Sequence, residues 1–280
     1  VKLYVGIGAG AIVAVVLMAL AGVFTINAPA LAARMRDIVL AMAALYFLYL
    51  FFLAGLSTDE KKRVGVIVIL FVFATIFWSA FEQAPTSLNL FAADFTDRML
   101  FGWEVPILWL QSVNSFFVIL FAPLFGMLWV ALGRRGQNPS SPAKFAFGLF
   151  FAGLGFLVMV MAANRVIDTG GVVRVSMMWL TVSYLLQTWG ELALSPVGLS
   201  SMTKLAPRRF AGQMMGVWFM AAALGNLLAG LVGGHVDPEN LPQIPALFQR
   251  TAMSLFLAAA ILGALVIPIR RMMKEVPGQH

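Results

Sequence analysis

The chain has 280 residues, of which 61% are hydrophobic and only 11% charged. A soluble domain of this length has about a quarter of its residues charged, so the composition excludes a soluble globular protein. There is no cysteine, which removes disulfide frameworks and thiolate metal sites.

A bilayer core about 30 Å thick is crossed by about 20 apolar residues in a helix. Eight apolar runs, bounded by charges or by Gly, Pro and Asn clusters, reach that length: roughly 3–26, 37–56, 64–92, 106–132, 144–163, 175–203, 210–234 and 245–269. Lys2 precedes the first run and Ala28-Pro29-Ala30 follows it, as in a signal peptide. Signal h-regions are only about 7–15 residues long, so the first run reads as a span. The chain starts at Val1, almost against that span and without an initiating Met, as a partial copy of a longer protein would.

The first two runs hold Ala, Leu, Val and aromatics. The composition changes near residue 60, at Ser57-Thr58-Asp59-Glu60-Lys61-Lys62-Arg63, and the later six carry Glu, Gln, Asn, Ser, Thr and Trp at depth. The expected fold is all-α and multi-pass: a two-helix transmembrane hairpin over 1–60, then a six-helix bundle over 61–280. Six is the helix count of one half of a major-facilitator transporter, each half being built from three-helix repeats.

If the start is cytoplasmic and the runs alternate, thirteen of the nineteen Lys and Arg residues fall on one side. They are Lys2, the group at 61–63, Arg134, Arg135 and Lys144, Lys204 with Arg208 and Arg209, and Arg270, Arg271 and Lys274. Arg34, Arg36, Arg98, Arg165, Arg174 and Arg250 fall on the other. Positive charge concentrates on the cytoplasmic side. The formal charge of +7 is thus a topology signal and not a nucleic-acid footprint, and both ends are expected inside.

Residues three or four apart share a helix face. Thr75, Ser79, Glu82, Thr86 and Asn89 have that spacing, with Gln83 and Ser87 beside them. The run 175–203 does the same with Ser176, Ser183, Gln187, Glu191, Ser195 and Gly198, and 106–132 offers Gln111, Asn114 and Ser115. At about 1.5 Å per residue, Glu82 lies about 18 Å from Asp94, Asn114 about 15 Å from Glu104 and Glu191 about 25 Å from Arg174. All three can meet near the middle of the bundle, where secondary transporters bind substrate.

Each polar residue also has a plain reading. Ser and Thr in membrane helices often bond their own preceding carbonyls, and Asn or Gln often ties two helices together. The glutamates differ, because a carboxylate at this depth is costly and is by default functional. No Lys or Arg lies near mid-membrane; Arg250 is nearest, about 9 Å inside a helix end. Burial disfavours a charged carboxyl, so either Glu82 and Glu191 hold protons much of the time or their cationic partners lie on another part. Gly212-x-x-x-Gly216 and Gly230-x-x-x-Gly234 read as packing positions. Trp218 either lines a cavity or packs against a neighbour, and spacing does not decide. Pro85, Pro123 and Pro196 lie inside spans, where kinks shape a pathway.

Enzymatic readings are weak. Asp94-Phe95-Thr96-Asp97 is the kind of pair that holds Mg²⁺, but it has no second aspartate cluster and lies beside Arg98 at a helix end, where an ion-pair network is expected. The histidines are His235 and His280, both near ends, so neither a histidine metal site, a Ser–His dyad nor a haem has ligands at depth. No metal or cofactor is expected.

Several motifs carry a family resemblance: Phe77-Trp78-x-x-Phe81-Glu82-Gln83; Gln111-Ser112-x-Asn114 followed by Ala122-Pro123-Leu124; and Gly190-Glu191-Leu192-x-Leu194-Ser195-Pro196-Val197-Gly198-Leu199-Ser200. Lys204-Leu205-Ala206-Pro207, Gly216-Val217-Trp218-Phe219 and Ala223-Leu224-Gly225-Asn226 continue the series. In order and spacing, residues 60–270 resemble the C-terminal half of the proton-dependent oligopeptide transporters. The preceding hairpin resembles the two extra helices that bacterial members insert between their halves. The family's N-terminal E-x-x-E-R-F-x-Y-Y motif is absent, as is the whole first bundle, and Ser115 stands where the family usually has proline.

The resemblance implies proton-coupled symport of di- and tripeptides across the bacterial inner membrane, with substrate, protons, lipid and the missing N-terminal six-helix bundle as partners. Glu82 would be the proton-coupling carboxylate, tied to an arginine of that bundle. Glu191 would face the peptide amino terminus and alternate with a lysine of the other half. Asn114 would help hold the same end, and Ser195 and Trp218 would line the pocket. The alternatives are symport of a non-peptide small solute and a structural membrane subunit.

Overall fold

The computed structural model describes residues 27–233 and 242–274, together with Gly10, Val13, Leu17 and Met18. Those four are helical; the rest of the expected span 3–26, as well as Gly234, His235 and His280, lies outside the described residues.

Helix α1 spans Ala28–Leu48 and runs on through a π-helical turn, Tyr49–Leu53. It starts nine residues before the expected 37, because Asn27 caps it (Oδ1 accepts from the Ala30 N–H at 3.0 Å) and Pro29 sits in the first turn, where its missing N–H costs nothing. Arg34 and Arg36 are therefore on the helix and not in a loop, Arg36 pairing with Asp37 at 2.8 Å. The chain turns at Gly55, whose φ of +61° suits glycine. Helix α2, Thr58–Phe81, opens with a capping box between Ser57 and Glu60.

The expected run 64–92 is not one helix. It stops at Glu82, passes through a π-helical turn, Ala84–Leu88, and resumes as the short α3, Asn89–Asp94. Pro85 lies in that turn and has no N–H for the ladder. The strands β1 (Thr96–Asp97), β2 (Met99–Leu100), β3 (Trp103–Glu104) and β4 (Val175–Ser176) make two small pairings at one end of the bundle, β1 parallel to β4 and β2 antiparallel to β3. Then come α4 (Ile107–Arg134), α5 (Ser141–Asp168), α6 (Met178–Leu205), α7 (Ala211–Gly233) and α8 (Gln243–Lys274).

Among the described residues, six helical stretches are long and apolar enough to cross a membrane: 28–53, 58–94, 107–134, 141–168, 208–233 and 243–272. The chain is a multi-pass membrane protein. Helix α6 is 28 residues long but less apolar, and touches α2, α4, α5 and α7. Its polar Ser183, Gln187 and Thr188 are buried against protein. Protein neighbours let α6 carry groups that a lipid-facing helix would leave unsatisfied.

Helix contacts rest on glycines. A Cβ on Gly190 of α6 would lie 2.6 Å from the Gly148 carbonyl oxygen of α5, and one on Gly225 of α7 would lie 2.4 Å from Trp78 Cβ of α2. The expected packing glycines do not do this: Gly212, Gly216 and Gly230 have nothing within 4 Å of a built Cβ and sit on the exposed side of α7. A four-residue spacing defines a face but not its direction. Helix α1 docks on the start of α7. Tyr46 Oη donates to Gln213 Oε1 at 2.7 Å, Arg209 donates to the Ala54 carbonyl, and Tyr49 meets Phe210 edge-on at 6.3 Å.

Candidate functional site

The hydroxyls on α2 are satisfied by their own helix. Thr75 Oγ1 donates to the Phe71 carbonyl at 3.0 Å and Ser79 Oγ to the Ile76 carbonyl at 2.8 Å. Glu82 closes the helix, its N–H bonded to the Trp78 carbonyl at 2.9 Å. The straight polar face expected from Thr75 to Asn89 ends here, since a π-helical turn packs more residues per turn and rotates the residues beyond it. Thr86 bonds the Gln83 carbonyl at 3.3 Å, while Gln83 and Ser87 turn inward and are 2% and 3% exposed. Glu82 stays half-buried with the Asn226 amide of α7 facing its carboxylate.

Helix α4 brings Asn114 to α6. Its Nδ2 donates to Thr188 Oγ1 at 2.9 Å, and Thr188 in turn donates to the Tyr184 carbonyl at 2.7 Å. The same amide reaches Glu191, and Glu191 lies within electrostatic reach of Glu82. The three residues expected to meet thus do converge, from α2, α4 and α6. Glu191 Oε2 and Ser195 Oγ, one turn apart, are enclosed and accept or donate no hydrogen bond.

The rest of the expected α6 stripe goes elsewhere. Ser176 lies on β4, before the helix, and accepts from the Met178 N–H at 3.2 Å. Ser183 accepts from Gln187 Nε2 at 2.9 Å, and both press on α5 at Gly155, where a Cβ would sit 2.9 Å from the Ser183 carbonyl oxygen. With 3.6 residues per turn, each step of four advances about 40° around the helix. Ser183 and Ser195 therefore point in directions about a third of a turn apart. Gly198 packs under Trp218: a Cβ there would lie 2.3 Å from the indole ring, which is buried and also meets Phe145 edge-on at 6.2 Å. Trp218 thus sits inside the α5–α6–α7 contact. Gln111 is half-buried and Ser115 exposed on α4.

Thr188 and Asn226 join the site without having been singled out in the sequence. Thr188 stands three residues before Glu191 and shares its face, the signal that could have found it; Asn226 ends the Ala-Leu-Gly-Asn motif, the one sign of it in the sequence. At the helix end, Arg98 pairs with Glu104 at 2.5 Å and Asp97 Oδ1 accepts from the Met99 N–H at 3.0 Å. Among the described residues no cluster of three metal-ligating side chains exists, and neither Glu82 nor Glu191 has a cationic partner. Two carboxylates share a site here with amides and hydroxyls, open to a proton or to a cationic group from outside the chain.

The sequence profile of the POT family matches residues 30–245. The chain is 49% identical over 274 residues to the peptide transporter YePEPT of Yersinia enterocolitica subsp. palearctica serotype O:3 (strain YE-P4), covering 96% of this chain and 53% of that protein. A crystal structure of a peptide transporter POT in complex with sulfate superposes with a TM-score of 0.81 at 33% identity, over 97% of this chain and 54% of that one. A crystal structure of a POT family transporter in complex with 5-aminolevulinic acid gives 0.79 at 27% identity, over 96% and 54%. The chain spans about half the length of these relatives.

Proposed function

This chain belongs to the POT family, and on that premise we propose that it supplies the C-terminal bundle of a proton-coupled symporter of di- and tripeptides. Residues 61–280 form that bundle and residues 1–60 a hairpin inserted between the two halves. The membrane is the bacterial cytoplasmic one, with both ends of the chain inside, as the distribution of Lys and Arg favours. The protein moves its substrate and does not transform it.

The observation that carries this reading is the convergence of Glu82, Asn114 and Glu191 with no cationic partner among the described residues. Glu82 takes and releases the proton. Deprotonated, it holds an arginine of the N-terminal bundle; protonated, it lets go, and the two bundles rock around the peptide. Glu191 receives the peptide ammonium, a charge-assisted bond about twice as strong as a neutral one, and otherwise holds a lysine of the other half. Asn114 steadies the same end of the peptide. Ser195, whose hydroxyl has no partner here, lines the pocket. Trp218 backs the pocket wall through its seat on Gly198.

The test is uptake of labelled di-alanine by the intact gene product in liposomes under an inward proton gradient. Uptake should collapse with a protonophore and with Glu191→Ala, and free alanine should not compete. One observation favours a second reading: a relative binds 5-aminolevulinic acid, a non-peptide carrying an amine and a carboxylate. If folded protein takes up that compound but not di-alanine, the substrate assignment changes while the coupling scheme stands.

A further inference from the structure

Gln83 is 2% exposed and uses both ends of its amide. Its Nε2 donates to the Ser79 carbonyl of α2 at 3.3 Å and to Thr251 Oγ1 of α8 at 3.2 Å, and its Oε1 accepts from Ser87 Oγ at 2.9 Å. One side chain therefore joins the end of α2, the π-helical turn and a separate helix. Thr251 donates its own hydroxyl to the Leu247 carbonyl at 3.1 Å, which leaves its lone pairs for Gln83. Glu82 immediately precedes Gln83, and its carboxylate faces the Asn226 amide of α7.

The surroundings decide where this region bends. The end of α2 is clamped on α7, where a Cβ on Gly225 would lie 2.9 Å from Ser79 N. Beyond it the regular ladder gives way at Pro85, and interrupted ladders are where helices kink. Movement of α3 against α2 must therefore be taken up between Glu82 and Asn89.

We propose that Gln83 and Thr251 are positioning residues for Glu82, latching the helix break to α8 so that the carboxylate stands at a fixed place when its cross-bundle partner arrives. This rests on the coupling role given to Glu82 above. With the latch cut, the break floats and the carboxylate meets its partner less often, while substrate exchange, which needs no coupling to a gradient, continues.

Gln83→Ala would strip three groups of their partner and risks misfolding, so the informative variant is Thr251→Val, which removes one hydroxyl on α8. In the intact transporter in liposomes, gradient-driven di-alanine uptake should fall about fivefold, the worth of one hydrogen bond. Counterflow should stay within about twofold, and Thr251→Ser should restore gradient-driven uptake. Equal loss of both activities in Thr251→Val, or loss of neither, overturns the positioning role. Glu82→Gln run in parallel separates the two ideas. If it loses gradient-driven uptake while Thr251→Val keeps it, only the latch is wrong. If Glu82→Gln keeps full gradient-driven uptake, the coupling role of Glu82 falls, and the latch with it.

Discussion

Asn114 Nδ2 and Thr188 Oγ1 stand 2.9 Å apart across the contact between α4 and α6. This one bond orients the amide that also reaches Glu191. Helix α4 is otherwise lightly held, with Leu110 as its one fully buried residue. An amide on such a helix needs a fixed partner if it is to present the same donor to each arriving substrate.

Thr188→Val should therefore act on binding. It keeps the branched shape inside the bundle but leaves Asn114 without its acceptor. A lost hydrogen bond of about 1 kcal/mol raises the half-saturation concentration for di-alanine counterflow about fivefold. Thr188→Ser should remain close to wild type. An unchanged half-saturation in Thr188→Val would mean that the amide is held by something else.

The glycine contacts make a second contrast. Gly190→Ala and Gly225→Ala would drive a methyl group into backbone or Cβ atoms that cannot retreat, and overpacking of this kind costs about 1–3 kcal/mol. Gly263→Ala on α8 meets open space and should be neutral or stabilising by up to about 1 kcal/mol, since alanine favours the helix. Thermal unfolding of the intact protein in detergent would check the order. Equal midpoints for all three would mean that the close approaches are not tight in solution.

Much of this was legible in the sequence because hydrophobic length and end signals are local. The runs from 37 onward each overlap a described helix, 64–92 being broken after Glu82, and the charged stretch from Ser57 to Arg63 holds the start of α2. What failed was direction. The stripe from Ser183 to Ser195 has regular spacing, yet Ser183 and Gln187 face α5 while Glu191 meets Asn114 of α4, because four-residue steps wind around the helix. Pro85 was visible, but the bond that seats Gln83 inward reaches Thr251, 168 residues away. Gly212 and Gly225 look alike in sequence, and only the neighbouring helix distinguishes them.

The Arg98–Glu104 pair tests the outer end of the bundle. Arg98 is mostly covered, and it also donates to the Val105 carbonyl at 2.7 Å, while Glu104 is exposed. Glu104→Gln should cost no more than about 1 kcal/mol, as solvent screens an exposed carboxylate. Arg98→Ala loses the carbonyl bond and side-chain packing as well, and its midpoint should fall further. If the two variants unfold together, the ion pair and not the carbonyl bond is what orders this corner.

The last prediction concerns what Glu191 recognises. If it receives the peptide ammonium, N-acetylated di-alanine, which has the same backbone but no charge at that end, should compete poorly with labelled di-alanine. A hydrogen bond to a charged group is worth about 1.5–3 kcal/mol, so the difference should be about tenfold or more. Glu191→Gln removes the carboxylate while keeping the shape of the side chain, and with it most of the reason to prefer an ammonium. In that variant di-alanine should bind more weakly and the gap between the two competitors should close to within a few-fold. Ser195, one turn further along, has no hydrogen-bond partner for its Oγ among the described residues and gives the ammonium a second acceptor, so Ser195→Ala should narrow the gap less than Glu191→Gln. A gap that survives Glu191→Gln in full would place the recognition of the amino terminus on another residue and leave Glu191 to its exchange with the other bundle.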